Sequence, residues 1–277
     1  NYNVVVGDEA GTALTTGDGN VAVGYQALKT EDANGESTAL GYRALMTQNA
    51  GAAAYNVSVG YDTGLDLTTG VRNTLLGTFA GSNITSGGSN VAIGYNSLGT
   101  EDGHGFNTAV GYQALKFLNA GADAYNVAVG YQAGVAVTTG IDNVLIGGLA
   151  GDALTDADMN VAVGKNALGS DTLGSMSVAI GNGALTTQNF TTATNTYNIG
   201  IGQGAGSSIT TGVRHTIIGG LAGDAFTDGG NNVALGYRAL TTETGGSASV
   251  AIGSLSLENQ NTNNVNYNTA VGYGSGQ

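Results

Sequence analysis

The chain of 277 residues contains no cysteine, no proline and no tryptophan. Without cysteine, a disulfide framework and thiolate metal sites are excluded. Basic residues are also few: 7 Lys and Arg stand against 20 Asp and Glu, a formal net charge of −13 that repels polyanions at long range. No apolar run approaches the roughly 18 residues of a membrane span. We therefore expect no nucleic-acid partner and no membrane insertion in this segment.

Glycine and repetition are abundant instead. The chain has 49 glycines, and "NVAVGYQAL" at 20–28 returns as "NVAVGYQAG" at 126–134. The hydrophobic content of 41% is too high for disorder driven by charge and polarity, and the glycines lack the three-residue period of collagen. A chain with these properties is expected to fold by stacking its repeats.

The repeat occurs in sixteen copies, mostly 17 residues apart, and the first residue of each copy is called position one here. The copies begin at Asn3, Asn20, Ser37, Asn56, Asn73, Asn90, Asn107, Asn126, Asn143, Asn160, Ser177, Asn198, His215, Asn232, Ser249 and Asn268. Intervals of 19 or 21 residues recur every four copies and define a superrepeat of 70–72 residues, with boundaries near 55/56, 125/126, 197/198 and 267/268. We predict one continuous domain over 1–277 that is part of a longer fibre.

Position five is glycine in every copy, which requires a backbone reason such as a positive φ or a close approach at a corner. These corner glycines are Gly7, Gly24, Gly41, Gly60, Gly77, Gly94, Gly111, Gly130, Gly147, Gly164, Gly181, Gly202, Gly219, Gly236, Gly253 and Gly272. Position two is always Val, Thr or Ile, and position four is always Val, Leu or Ile, which predicts a short strand ending at the glycine. One repeat then forms one coil of an all-β, parallel β-solenoid, and we expect positions two and four to face its core.

Positions nine and twelve exchange their residue types. Copies with Gly at position nine carry an apolar residue at position twelve, whereas copies with Leu at nine have an acid or Gln at twelve, with Leu118 as the exception. We infer that one core slot in each coil is filled from either position, because filling both overpacks it and filling neither leaves a void.

Two stretches resemble known families. The "SVAIG" at 177–181 and 249–253 resembles the head repeat of trimeric autotransporter adhesins, and "NTAVGYQAL" at 107–115 is similar to repeats of phage tail fibres. The resemblance covers essentially the whole chain. It implies a left-handed parallel β-roll, a homotrimer, and a location on a virion or a cell surface.

Few residues suggest catalysis. The acids at position twelve, Glu31, Glu101, Asp171 and Glu243, recur every fourth coil. That separation is about 19 Å at the usual strand spacing, whereas paired glycosidase carboxylates lie ~5–10 Å apart. We interpret these acids as a solvated face, and the two histidines, at positions 104 and 215, as structural or solvent-facing. No enzyme activity, cofactor or metal is expected.

Two polar series allow alternative interpretations. Asn at position one is expected to form a hydrogen-bonded ladder along the solenoid rather than a sugar site. Tyrosine at position six is a candidate contact for a glycan or a partner, although packing over the turn is the favoured alternative. These residues are Tyr25, Tyr42, Tyr61, Tyr95, Tyr112, Tyr131, Tyr237 and Tyr273.

Position three is bulky in one copy of each complete superrepeat, at Leu75, Leu145 and Ile217. Strand alternation points position three away from positions two and four. We therefore expect these three residues to lie outside the solenoid and to contact neighbouring copies in a homotrimer.

The function expected from these features is that of a structural and adhesive fibre shaft, in the manner of a phage tail fibre that positions or contributes to host-surface recognition. The alternative is a bacterial trimeric surface adhesin head that binds matrix or glycan along its flank. A less favoured alternative is a tailspike-like polysaccharide depolymerase with an acidic pair assembled between chains. The expected partners are further copies of the chain and a host cell-surface glycan or protein.

Overall fold

The computed structural model describes residues 2–33 and 35–277. Within these ranges the regular structure is all β, with no helix and hence none that could span a membrane. The chain divides into two compact units, Asn1–Ile141 and Asp142–Gln277. The single continuous domain over 1–277 stays a prediction.

Unit 1 contains eight strands of three residues each. They are β1 (Val4–Val6), β2 (Val21–Val23), β3 (Thr38–Leu40), β4 (Val57–Val59), β5 (Thr74–Leu76), β6 (Val91–Ile93), β7 (Thr108–Val110) and β8 (Val127–Val129). Each pairs in parallel with the next, and the register joins like positions, as in the pairing of Val21 with Thr38.

Unit 2 repeats this arrangement. Its main strands are β9 (Val144–Ile146), β10 (Val161–Val163), β12 (Val178–Ile180), β14 (Ile199–Ile201), β15 (Thr216–Ile218), β16 (Val233–Leu235), β17 (Val250–Ile252) and β18 (Thr269–Val271). The short strands β11 (Gly174–Ser175) and β13 (Thr194–Asn195) pair separately. With eight coils in each unit, the predicted parallel β-solenoid of sixteen coils is confirmed. Its left hand and its assembly as a trimer stay predictions.

The corner glycines have both of the properties that the sequence suggested. At position five φ lies between +125° and +144° in all sixteen copies, a region that side chains rarely adopt. The coils also approach closely there: a Cβ added to Gly164 would lie 2.6 Å from the carbonyl oxygen of Gly181 in the next coil. Only glycine fits this corner.

The strands face the opposite way to our prediction. Position three is buried in every coil except the first, as at Ala22, Ala92 and Ala162, which have no exposed surface. Positions two and four are partly or largely exposed instead, and Ile93 at position four is 37% exposed. The space behind the strand takes a small side chain in most coils, and the side chains of positions two and four lie outside it.

The proposed oligomer contacts Leu75, Leu145 and Ile217 are consequently wrong in placement, because all three are fully buried. They fill space that glycine at position nine leaves open. A Cβ added to Gly81 would lie 2.8 Å from Leu75 Cδ2, in the same coil. The coil before it also has glycine at position nine, Gly64, whose added Cβ would again meet Leu75 at 2.8 Å.

The exchange between positions nine and twelve is confirmed only in part, because Leu115 and Leu118 are both fully buried in one coil and filling both positions therefore does not overpack it. Leu28 and Leu98 at position nine are fully buried, as are Ile84 and Leu154 at position twelve. A Cβ added to Gly151 would lie 2.8 Å from Leu154 Cδ1. Position nine has a left-handed backbone even where it is leucine, with φ of +49° at Leu28. Glycine at position nine is therefore required by the side chains packed against it rather than by φ.

The asparagine ladder along the solenoid is also confirmed, and the asparagine side chains bond to backbone groups rather than to each other. Asn73 Oδ1 accepts the N–H of Asn90 in the next coil at 2.9 Å, and Asn73 Nδ2 donates to the carbonyl of Gly87 at 2.9 Å. Asn73 and Asn90 are fully buried, which removes their side chains from any sugar outside. Their hydrogen bonds satisfy polar backbone groups that the coil encloses.

Candidate functional site

An unbroken row of aromatic rings runs along seven consecutive coils of unit 1. This aromatic row consists of Tyr25, Tyr42, Tyr61, Phe79, Tyr95, Tyr112 and Tyr131. Tyr42 and Tyr61 stack with centroids 4.9 Å apart and planes 4° apart, whereas Phe79 meets both of its neighbours edge to face. The sequence reading missed Phe79 because it stands at position seven. The sequence does indicate its role, because the same coil lacks a tyrosine at position six.

The stacking determines what the row can offer to a ligand. Because each stacked ring covers the face of the next, the solvent meets mainly ring edges and phenol hydroxyls. A pyranose stacks on a ring face, so the interior of the row supplies hydrogen-bonding hydroxyls rather than stacking platforms. Its tyrosines are 37–55% exposed and therefore remain accessible to a partner.

The other two tyrosines of the series lie in unit 2 and are isolated from each other. Tyr237 and Tyr273 are 54% and 80% exposed, and Ser254 occupies position six in the coil between them. Among the described residues of unit 2 no ring pair forms along position six.

A second surface is formed by the outward side chains of the strands. This aliphatic face consists of positions two and four, which carry only Val, Leu, Ile and Thr in all sixteen copies and no charge. Leu40 is 44% exposed, Ile146 is 38% exposed and Ile252 is 39% exposed. Three-residue strands stacked eight deep give a face of about 10 Å by about 35 Å in each unit, roughly 350 Å². That equals the largest apolar patch of a typical soluble monomer, a patch that is often functional.

The acids at position twelve are buried rather than solvated, which corrects our interpretation of Glu31, Glu101, Asp171 and Glu243. In three of the four cases the next coil supplies a glutamine at position twelve. Gln48 Nε2 donates to Glu31 Oε2 at 2.9 Å, and Gln260 Nε2 donates to Glu243 Oε2 at 2.9 Å. The same bond joins Gln188 to Asp171 at 2.5 Å. Spacing along one chain did not reveal these donors, because they lie one coil away.

Glu101 is the exception among the four acids. The next coil places Leu118 where the other three superrepeats have glutamine, so Glu101 Oε2 is buried without a hydrogen-bond partner. Burial raises the pKa of the Glu101 carboxyl, and the nearby amides of His104 and Ala120 lower it in part. His104 lies beside it, with Nδ1 3.6 Å from Glu101 Oε1 and the side chain 30% exposed.

The two histidines occupy different environments. His215 replaces asparagine at position one, and its Nε2 takes over the usual bond by donating to the carbonyl of Gly229 at 2.8 Å. Its Nδ1 is buried without a partner, and its ring lies 5.0 Å from the ring of Phe226. Burial lowers the pKa of His215 to about 4. His215 is thus structural, as expected, and His104 belongs to the cluster around Glu101.

Comparisons of the chain with family models, with curated proteins and with solved structures found no match. Its function is therefore inferred from its own surfaces.

Proposed function

We propose that the chain is a segment of a structural and adhesive fibre, similar to the shaft of a phage tail fibre, in which three copies pack through their aliphatic faces. The observation that carries this proposal is the orientation of the strands. In every coil the strand turns positions two and four, which carry Val, Ile, Leu or Thr, outward, and in every coil but the first it encloses position three, which is small in most coils. Side chains such as Ile93 and Ile146 contribute little to the core of one chain and much to a contact between chains.

The composition of the face supports a second copy as its occupant. It is uncharged and repeats at every coil, so two copies in register present the same row of Val, Ile, Leu and Thr side chains to each other. Covering roughly 350 Å² in each unit at ~25 cal/mol per Å² corresponds to about 9 kcal/mol of gross apolar burial per unit and copy, before the cost of association. The number three comes from the resemblance to adhesin heads and tail fibres.

The surface outside such an assembly supports the adhesive part of the proposal. The aromatic row of unit 1 lies just beyond the corner glycines and offers its hydroxyls to a cell-surface glycan or protein. The alternative, a bacterial adhesin head that binds along its flank, uses the same two surfaces. A depolymerase is less favoured, because the acids at position twelve are enclosed in the coils and are not available to an acidic pair between chains.

The test is the mass of the full chain by light scattering, together with cross-linking through introduced cysteines. The chain has no cysteine of its own, so any disulfide between chains must come from the introduced residue. We expect a particle of three chains, and we expect Ile93→Cys to form disulfide-linked pairs under oxidising conditions. Thr69→Cys is the matched control, since Thr69 is exposed in a turn and lies outside the aliphatic face.

The proposal fails if the chain stays monomeric at high concentration. It also fails if Thr69→Cys cross-links as readily as Ile93→Cys. A charged variant adds a third measurement: Ile93→Asp is expected to dissociate the assembly, whereas Thr69→Asp leaves its mass unchanged. Cysteine is small and apolar, so Ile93→Cys is expected to fold. The cross-linking result therefore stands even if the charged variant Ile93→Asp does not fold.

A further inference from the structure

The strongest unexplained group in the molecule is the carboxylate of Glu101. Its side chain has no exposed surface, and Oε2 has no hydrogen-bond partner. Backbone amides bond to this carboxyl, but burying a charge is strongly unfavourable unless the group is also paired or bound to a cation. The other three superrepeats show how the chain solves the same problem elsewhere.

In those superrepeats two residues of the following coil differ together. Position twelve is glutamine and position one is serine, as in Gln188 and Ser177, and the glutamine Nε2 donates to both the acid and the serine Oγ. After Glu101 the corresponding residues are Leu118 and Asn107. The amide donor is therefore missing in this one superrepeat.

A histidine stands beside the acid in the same superrepeat. The residue three places after the acid is His104 here, whereas it is Gly174 after Asp171 and Gly246 after Glu243. Its backbone performs the common task, since the N–H of His104 donates to Glu101 Oε1 at 3.2 Å, as those glycines do for their acids at 3.1 Å and 2.8 Å. The imidazole is an addition, and its Nδ1 has no hydrogen-bond partner.

Asp102 completes the cluster. One ligand atom each from Glu101, Asp102 and His104 lie within 4.8 Å of one another. The separation of 3.6 Å between His104 Nδ1 and Glu101 Oε1 is close to the ~3.4 Å between two ligands of a tetrahedral zinc ion with bonds of about 2.0–2.1 Å. Asp102 is exposed and His104 is partly exposed, so an ion can reach the cluster from solvent.

We propose that Glu101, Asp102 and His104 form a binding site for a divalent transition-metal ion such as Zn²⁺, which takes the place of the missing glutamine donor. The ligand set favours this class of ion, because imidazole suits zinc, copper and nickel better than it suits calcium or magnesium. Three protein ligands leave the remaining coordination positions to water. This site reverses our expectation of no metal, because the lack of a glutamine beside Glu101 becomes visible only when two neighbouring coils are compared.

The test is titration of Zn²⁺ into the full chain by calorimetry, with protein that carries no histidine tag and has been stripped of metal. We expect one ion per chain. His104→Gly, which copies the two related turns, should weaken binding at least about tenfold. His215→Asn is the matched control, since it removes the only other histidine and should leave binding unchanged.

A second variant tests the role of the missing donor. Asn107→Ser combined with Leu118→Gln copies the other three superrepeats, so it is expected to fold and to give Glu101 Oε2 an amide partner. Zn²⁺ affinity should then fall at least about tenfold although all three ligands remain. Nitrogen chemical shifts of His104 provide a direct readout, because Nδ1 should move on addition of Zn²⁺ at constant pH.

Three results would overturn the proposal. One is the absence of saturable Zn²⁺ binding by the unaltered chain. Another is binding that survives His104→Gly undiminished. The third is a His104 Nδ1 signal that responds to pH but not to Zn²⁺, since this would show that a proton alone neutralises the cluster.

Discussion

The two units share one backbone but differ along position six. Unit 1 has six tyrosines at position six, and Phe79 at position seven completes a row over seven consecutive coils; unit 2 has glycine, lysine, asparagine, glutamine and serine at position six, with only Tyr237 and Tyr273 as rings. Both units keep the corner glycines, the buried position three and the parallel register. The coil therefore does not require an aromatic residue at position six, and this position is a surface that each unit uses differently.

The difference also separates two sources of stability. What both units share is enclosed in the coil: a buried position three, buried apolar side chains from positions nine and twelve, and hydrogen-bonded asparagines at position one. What only unit 1 has lies on the outside, where stacked pairs contribute about 0.5–1.5 kcal/mol each, and the lower end applies to half-exposed rings. We thus expect changes at the shared positions to cost far more than changes in the aromatic row.

The largest effect should come from the corner glycines and should be equal in both units. An added Cβ would lie 2.8 Å from the Gly94 carbonyl oxygen at Gly77 and 2.6 Å from the Gly181 carbonyl oxygen at Gly164, with φ of +125° and +131°. Gly77→Ala in unit 1 and Gly164→Ala in unit 2 should each lower the free energy of unfolding by more than about 3 kcal/mol. Denaturant unfolding measures both.

Gly121→Ala serves as the control, because no heavy atom lies within 4 Å of its added Cβ, although its φ is +69°. It should cost about 1 kcal/mol, the strain of a left-handed residue alone. If Gly77→Ala costs no more than Gly121→Ala, close approach between coils does not explain the corner glycine. If Gly77→Ala and Gly164→Ala differ widely, the two units do not share one backbone constraint.

The second largest effect is a loss of stability at acid pH that arises from His215 in unit 2. Burial lowers the pKa of His215 from its ordinary value of 6.5 to about 4, so the folded chain keeps this imidazole neutral where the unfolded chain protonates it. Since the unfolded state binds more protons between pH 6.5 and about 4, the free energy of unfolding falls as the pH falls through this window. The loss from this group should reach about 3 kcal/mol near pH 4.

His215→Asn restores the residue that most other coils have at position one and removes the titrating group. Its stability should therefore depend less on pH than that of the unaltered chain over the same window. Amide hydrogen exchange in unit 2 locates the effect. Parallel losses of stability in both proteins on acidification would mean that His215 is not the cause.

The contrast between these positions shows how far the sequence could predict the structure. The period of 17 residues and the glycine at position five each follow from a local constraint that repeats in every coil, and the structure confirms both. Period two also places positions two and four on one face. It does not determine which face lies inside the coil. We predicted that the face with the larger side chains lies inside, as in the core of a globular protein.

The same limit explains the error at Leu75 and at the acids. Position three points inward in every coil but the first, and Leu75 fits there because Gly81 in its own coil and Gly64 in the preceding coil leave room for it. The acid at position twelve is buried with or without a glutamine in the next coil, and Glu31 receives its hydrogen bond from Gln48 in the following coil. Gly64 and Gln48 lie one coil away, so the pattern within a single copy could not reveal these two contacts. The clue available in the sequence was the pairing of residue types between neighbouring copies, which predicts contacts along the solenoid.

The smallest effect concerns the aromatic row itself, and it should have opposite signs in the two units. Tyr42→Ser in unit 1 removes the stacked contacts with Tyr25 and Tyr61 and should lower the free energy of unfolding by about 1 kcal/mol. Ser254→Tyr in unit 2 places a ring between Tyr237 and Tyr273, one coil from each, and should raise it by ~0.5–1 kcal/mol. Denaturant unfolding measures both changes. If Ser254→Tyr destabilises the chain while Tyr42→Ser is neutral, stacking contributes nothing to the coil, and the row in unit 1 must then be explained by a partner that contacts its hydroxyls.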